Sequence, residues 1–96
     1  MSKRPCVSML ASRRNGTLYI GVTSDLGKRV WTHKTGAVDG FTKQHAVRTL
    51  VYFEIHATMA AAIEREKRLK KWKRRWKLGL IEETHQEWED LASLIA

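Results

Sequence analysis

The chain has a single cysteine, Cys6, among its 96 residues. A lone thiol rules out an internal disulfide and cannot by itself anchor a thiolate metal site, which agrees with a reducing compartment and predicts a cytoplasmic protein. No apolar run approaches the roughly 18 residues a membrane span needs. Met1-Ser2-Lys3-Arg4 leads into no signal-peptide apolar region, and there is no internal repeat or low-complexity tract. Acidic residues are scarce: 10 Asp and Glu stand against 18 Lys and Arg, a net charge of +8. Hydrophobic residues make up 43%, enough for one core, and the length predicts a single domain over residues 1–96.

The charge is unevenly spread. Nine of the 18 basic residues fall between Arg65 and Lys77, and five of the ten acidic ones between Glu82 and Asp90. A basic run this dense attracts polyanions, and it points to a nucleic-acid partner contacted by Lys67, Lys70, Lys71, Lys73, Arg74 and Lys77. Lys34, Lys43 and Arg48 extend the basic surface.

Short-range signals divide the chain. Cys6 to Ala11 reads as a strand, Arg13-Arg14-Asn15-Gly16 as a turn whose Asn-Gly supplies two positive-φ positions, and Thr17 to Val22 as a second strand. A helix follows from about Asp25, whose carboxylate can cap it, to Thr35, with Gly36 as the residue closing it. Asp39 to His45 has no periodicity and reads as a surface loop. Val47 to Ile55 is a third strand with an apolar centre that suggests burial on both faces. Thr58 caps a long helix to about Trp72, continued as a bent or second helix to Ile81. From residue 86 to 95 a short amphipathic helix is expected, with Trp88, Leu91, Leu94 and Ile95 inward.

Two placements ask for a reason. Arg29 and His33 share a helix face with Leu26 and Val30. Glu66 lies in the middle of a stripe formed by Met59, Ala62, Ile63, Leu69 and Lys70, whereas Glu64 falls on the far side among Arg68 and Lys71. An isolated buried carboxylate is costly, so Glu66 is either ion-paired with Arg29 or a ligand for a hard divalent cation. Trp72 and Trp76 lie at the edge of that stripe, where core packing competes with stacking on bases. Trp31 projects away from Leu26 and Val30 and is available to DNA.

Tyr19-Ile20-Gly21, then Arg29 and His33 on a following helix, then Glu66 on a later one, resembles the GIY-YIG endonuclease family over about residues 5–82. Asn15 to Thr23 and Arg65-Glu66-Lys67-Arg68-Leu69-Lys70-Lys71-Trp72 are similar to its small stand-alone bacterial branch. The resemblance implies an α/β fold, a three-stranded antiparallel sheet flanked by helices, and Mg²⁺- or Mn²⁺-dependent cleavage of DNA. In that pattern Glu66 is the metal-binding carboxylate, Arg29 stabilises charge on the scissile phosphate, Tyr19 holds water or phosphate, and His33 assists in positioning or proton transfer. The first motif tyrosine is replaced by Ser8, which lacks its reach and acidity, so the resemblance implies slow turnover that Ser8→Tyr would raise. Lys77 stands where the DNA-repair incision branch has an asparagine.

Two functions remain open. One is a divalent-metal-dependent DNA endonuclease, structure- or lesion-directed in repair or recombination, since so short a chain has no separate sequence-reading module. The other is a non-catalytic DNA-binding protein on a decayed nuclease scaffold, argued by Ser8. Both take DNA as partner, with no membrane and no organic cofactor, as a monomer or weak dimer.

Overall fold

The first strand, β1 (Cys6–Ala11), is the centre of the sheet, and all six of its residues are buried. In the computed structural model, which describes residues 4–35 and 46–95, β1 pairs antiparallel with β2 (Leu18–Thr23) on one side and with β3 (Thr49–Ile55) on the other. The strand order is β2-β1-β3. Between Met9 and Leu10 the β1–β3 register slips: Met9 faces Tyr52 but Leu10 faces Leu50, so Val51 is the extra residue of a bulge.

Alternation along β1 assigns the two faces. Val7, Met9 and Ala11 meet Ala62 and Leu69 of α2 (Met59–Lys71), Ile81 of α3 (Arg74–Thr84) and Trp88. Cys6 and Leu10 meet Leu26 and Val30 of α1 (Leu26–Lys34), with Val47, Leu50, Leu91 and Ile95. Each fully buried aliphatic side chain of this size contributes roughly 1.5–3 kcal/mol by leaving water. The sheet is therefore a partition, with α1 on one side and α2 and α3 on the other.

The helix starts follow the local signals. Asp25 Oδ1 accepts from the Lys28 N–H at 3.1 Å, and Thr58 Oγ1 accepts from the Ala61 N–H at 3.1 Å. Trp72 and Lys73 are extended, with ψ of 149° and 145°, and this break makes α2 and α3 two separate helices.

Three local expectations are corrected. In the hairpin, Arg13 C=O accepts from Gly16 N–H at 2.9 Å, and of the Asn-Gly pair only Asn15 takes a positive φ, 58°. Gly16 is required for space instead, since a Cβ there would lie 2.3 Å from Ser12 Oγ. β3 is an edge strand, fully buried only at Leu50 and Val51. Finally, the helix expected over 86–95 is a single 3-10 turn, Leu91–Leu94, and Leu94 is 69% exposed. Trp88 adopts φ 55° so that its indole N–H reaches Glu82 Oε2 at 2.9 Å, and this stops a helix from forming. Gly36 and the loop 39–45, with Lys43, lie outside the described residues.

Candidate active site

On the α1 side of the sheet, β2 presents Tyr19 and Gly21. Thr23 Oγ1 accepts from the Asp25 N–H at 3.0 Å, fixing the turn into α1, and the Asp25 cap then sets the helix over the strand. One turn on, Arg29 Nη2 donates to Val22 C=O at 3.2 Å. A second turn brings the His33 ring against Tyr19, with centroids 5.4 Å apart at 44°. Gly21 is glycine because this space is full: a Cβ would sit 3.0 Å from Tyr19 Cε2 and 3.3 Å from Arg29 Nη1.

Tyr19, Arg29 and His33 are thus brought together, and Ser8 joins them on the same face, opposite Gly21 in the register. Ser8 and His33 are buried, and Ser8 Oγ and His33 Nδ1 have no hydrogen-bond partner among the described residues. Burial and the nearby Arg29 charge hold the His33 imidazole below its ordinary pKa, against the pull of the Val47 backbone, and so favour the neutral ring. Next to Arg29 an open cleft of about 370 Å³ is lined by Thr23, Ser24, Asp25, Lys28, Arg29 and Thr32. Lys28, Thr23 and Ser24 are additions to the sequence reading; Lys28, which follows the cap and precedes Arg29, was the available signal.

Glu66 stands apart from this group. It projects from α2, on the other face of the sheet, with its side chain 15% exposed and Oε1 3.6 Å from Lys70 Nζ. Among the described residues no Arg29–Glu66 ion pair within 4 Å forms, so the pairing read from spacing is replaced by Glu66–Lys70. Glu64 is the exposed carboxylate, bridged to Arg68 at 2.5 Å. A hard divalent ion that keeps most of its waters asks for one or two carboxylates and substrate phosphate oxygens, and Glu66 fits that requirement. No three His, Cys, Asp or Glu side chains gather among the described residues, so a closed all-protein cage is not built here.

The basic residues divide by partner. Lys34 Nζ binds Asp90 Oδ2 and donates to Arg48 C=O at 3.2 Å, so it clips the C-terminal segment to the sheet. Arg74 donates to the carbonyls of Asn15 at 2.9 Å and Gly16 at 2.6 Å. Lys77 donates to Lys70 C=O at 3.3 Å, Lys73 lies over the Trp76 ring, and Lys67 and Lys71 are exposed.

A second polar cluster had no single-position signal in the sequence. Glu54 accepts from Tyr52 Oη at 2.5 Å and from Arg65 Nε at 2.8 Å, and His56 Nε2 lies 2.8 Å from it. The Arg65 guanidinium in turn covers the Trp72 ring, 5.2 Å from its centroid.

Comparison with known proteins bears on the family and the fold. Residues 4–79 match the model of the GIY-YIG catalytic domain. A UPF0213 protein of Bacillus pumilus is 40% identical over 75 residues, covering 78% of this chain and 76% of its own. A UPF0213 protein of Staphylococcus saprophyticus is 37% identical over 70 residues, covering 73% and 85%. The solution NMR structure of a UPF0213 protein from Bacillus halodurans superposes with a TM-score of 0.57 at 24% identity, covering 95% of this chain and 96% of that one, which supports the fold. With a Tyr-Ile-Gly strand packed under Arg29 and His33, and a family match across most of its length, the chain belongs to the GIY-YIG catalytic domain family.

Proposed function

We propose that this protein is a divalent-metal-dependent DNA endonuclease, structure- or lesion-directed in repair or recombination. The observation that carries the reading is Arg29, whose guanidinium is held between Gly21 and the Val22 carbonyl and has no carboxylate within 4 Å among the described residues. A fixed cation that no carboxylate pairs, in a cleft where Lys28 and Arg29 outnumber Asp25, suits a phosphodiester, and its planar fork matches phosphate oxygens.

In this reading Lys28 and Arg29 bind the scissile phosphate, and Arg29 stabilises the charge that develops on it. Tyr19, packed on His33 and beside Arg29 over Gly21, holds water or phosphate. His33 keeps the Tyr19 ring in place, and its lowered pKa favours the neutral imidazole, the form that can accept a proton. Glu66 would hold Mg²⁺ or Mn²⁺, which supplies polarisation of the phosphoryl oxygen and stabilisation of the leaving 3′ oxygen. β2 is a sheet edge, so a DNA strand passing over it meets α1 on one side and α2 on the other. A cytoplasmic setting goes with the free thiol of Cys6.

The test is nicking of supercoiled plasmid and cleavage of branched DNA with Mg²⁺ or Mn²⁺, comparing the wild type with Glu66→Ala and Glu64→Ala. Glu66→Ala should abolish cleavage while DNA affinity stays intact or rises, and Glu64→Ala should be silent. Damage from Glu64→Ala instead would remove Glu66 from the metal role. The second reading, a DNA-binding protein on a decayed scaffold, is favoured by Ser8, whose buried hydroxyl stands where the family has a tyrosine. Salt-dependent DNA binding with no cleavage under either metal would establish it.

A further inference from the structure

The Trp76 indole is half out of the protein: 50% of its surface is exposed, although it lies next to the core helix α2. The ring is held in place despite that. It meets Trp72 edge-to-face, centroids 6.1 Å apart at 86°. Trp72 is covered by Arg65, and Arg65 is fastened to Glu54 on β3. A pile therefore rises from the sheet, carboxylate to guanidinium to indole to indole, and its outer end faces solvent. Rigid presentation matters, because a flat aromatic that is already ordered loses little conformational freedom when a ligand stacks on it.

The charges around that open end choose the ligand. Lys73 Nζ lies over the Trp76 ring, 5.7 Å from its centroid; a base stacking on that face displaces this exposed side chain, whose ammonium can then meet the nucleotide's phosphate. Lys73 and Arg75 flank Arg74 at the start of α3, which has no side-chain cap, and Arg74 is already held by the Asn15 and Gly16 carbonyls. Cations at the positive end of a helix dipole oppose one another and the dipole, and a phosphate backbone relieves both.

We propose that Trp76 is a stacking platform for an unpaired base, so that the DNA taken by this protein contains a single-stranded or extruded segment beside the duplex. The proposal rests on the DNA reading above and names the substrate class for it. Bases in an intact duplex are stacked on each other and do not offer a face, whereas unpaired ones do, and stacking on an aromatic tolerates any sequence.

Binding in EDTA separates this from catalysis. Anisotropy titrations would use a labelled single strand of about 12 nucleotides and the duplex of the same sequence, with wild type, Trp76→Ala, Trp76→Phe and Leu94→Ala. Trp76→Ala should weaken single-strand binding about 5- to 100-fold and duplex binding less than about twofold, from the strength of one base–aromatic stack. Trp76→Phe should recover most of the single-strand affinity, and Leu94→Ala, a 69% exposed apolar residue of the C-terminal turn, should change neither. Unchanged single-strand affinity in Trp76→Ala, or equal losses on both DNAs, would overturn the platform while leaving the nuclease reading standing. A wild type that binds neither DNA would overturn both. Urea midpoints for each variant distinguish lost contact from lost folding.

Discussion

Arg65 Nε donates to Glu54 Oε1 across 2.8 Å, tying α2 to the edge strand β3. Burial pushes the Glu54 carboxyl up, but hydrogen bonds from Tyr52, Arg65 and His56 outweigh it and hold the group below its ordinary value of 4.5. A depressed carboxylate stabilises the fold above its unfolded pKa, and that contribution disappears as pH falls through the lower folded value. Glu54→Gln leaves the Arg65 guanidinium without its charge partner and should cost about 1–3 kcal/mol at pH 7. Urea unfolding at pH 7, 5 and 3 should show the gap between wild type and variant closing on acidification.

The same carboxylate acts on Tyr52 in the opposite range. Burial and the Glu54 charge raise the Tyr52 phenol to about 12. Because the protonated phenol is favoured in the folded state, its contribution is complete below the unfolded value of 10 and declines as pH rises toward 12. Ultraviolet titration of tyrosinate should show a late phase near pH 12 in the wild type. Tyr52→Phe should remove that phase.

His33 gives an independent titration on the α1 side. Its pKa is lowered from 6.5, first by burial and then by Arg29. The unfolded chain takes up this proton first, so stability begins to fall as pH drops below about 6.5. In NMR the His33 ring protons should titrate below 6.5, and Arg29→Ala should move that midpoint upward. A midpoint above 6.5 in the wild type would contradict a buried neutral ring.

Ser8 is 1% exposed on the central strand and its hydroxyl has no partner among the described residues. Ser8→Ala removes an unsatisfied group and should stabilise the protein by about 1 kcal/mol. The gain in activity expected of Ser8→Tyr has to be reconsidered, because Tyr19 and Arg29 already fill the space above the facing Gly21. Overpacking there should cost about 1–3 kcal/mol. Thermal melts of the two variants should shift in opposite directions.

Lys34 and the cations between Arg65 and Lys77 should behave differently. With about five phosphates neutralised, log K for DNA should fall against log salt with a slope of about −4 to −5. Lys71→Ala should flatten the slope by about one unit. Lys34→Ala should leave it nearly unchanged and instead lower stability, since Lys34 binds Asp90, which also accepts from Leu50 N–H at 3.3 Å. Salt titrations beside urea melts check both halves.

What could be read from the sequence was short-range. Asp25 and Thr58 announce their helices because a cap acts within three residues, and Tyr19, Arg29 and His33 meet because one strand and the helix after it carry all three. Glu66 was separable from Glu64 by helical angle, and the two side chains are 15% and 65% exposed. Partnerships across the fold were not legible. Arg65 reads as one more cation of the basic run until β3 brings Glu54 to it, and Lys34 reads as surface charge until Asp90 arrives from 56 residues away. The apolar run of β3 suggested a central strand, but β1 holds that position and the bulge at Val51 shifts the register of β3. Leucine spacing suggested a last helix, which the Trp88 indole bond to Glu82 forestalls.

The strand order β2-β1-β3 also sets a timetable. Cys6 pairs with Thr23 through a local hairpin, but its other partner is Ile55. A chain leaving the ribosome can close the first pairing early, whereas the central strand keeps one side unpaired until β3, which ends at Ile55, has been made. Closing so long a loop carries an entropic cost that must be met before the β1–β3 contacts stabilise anything. The docking of β3 is thus the step expected to limit the folding rate, and the nascent chain's most buried strand is the one left longest with an open edge.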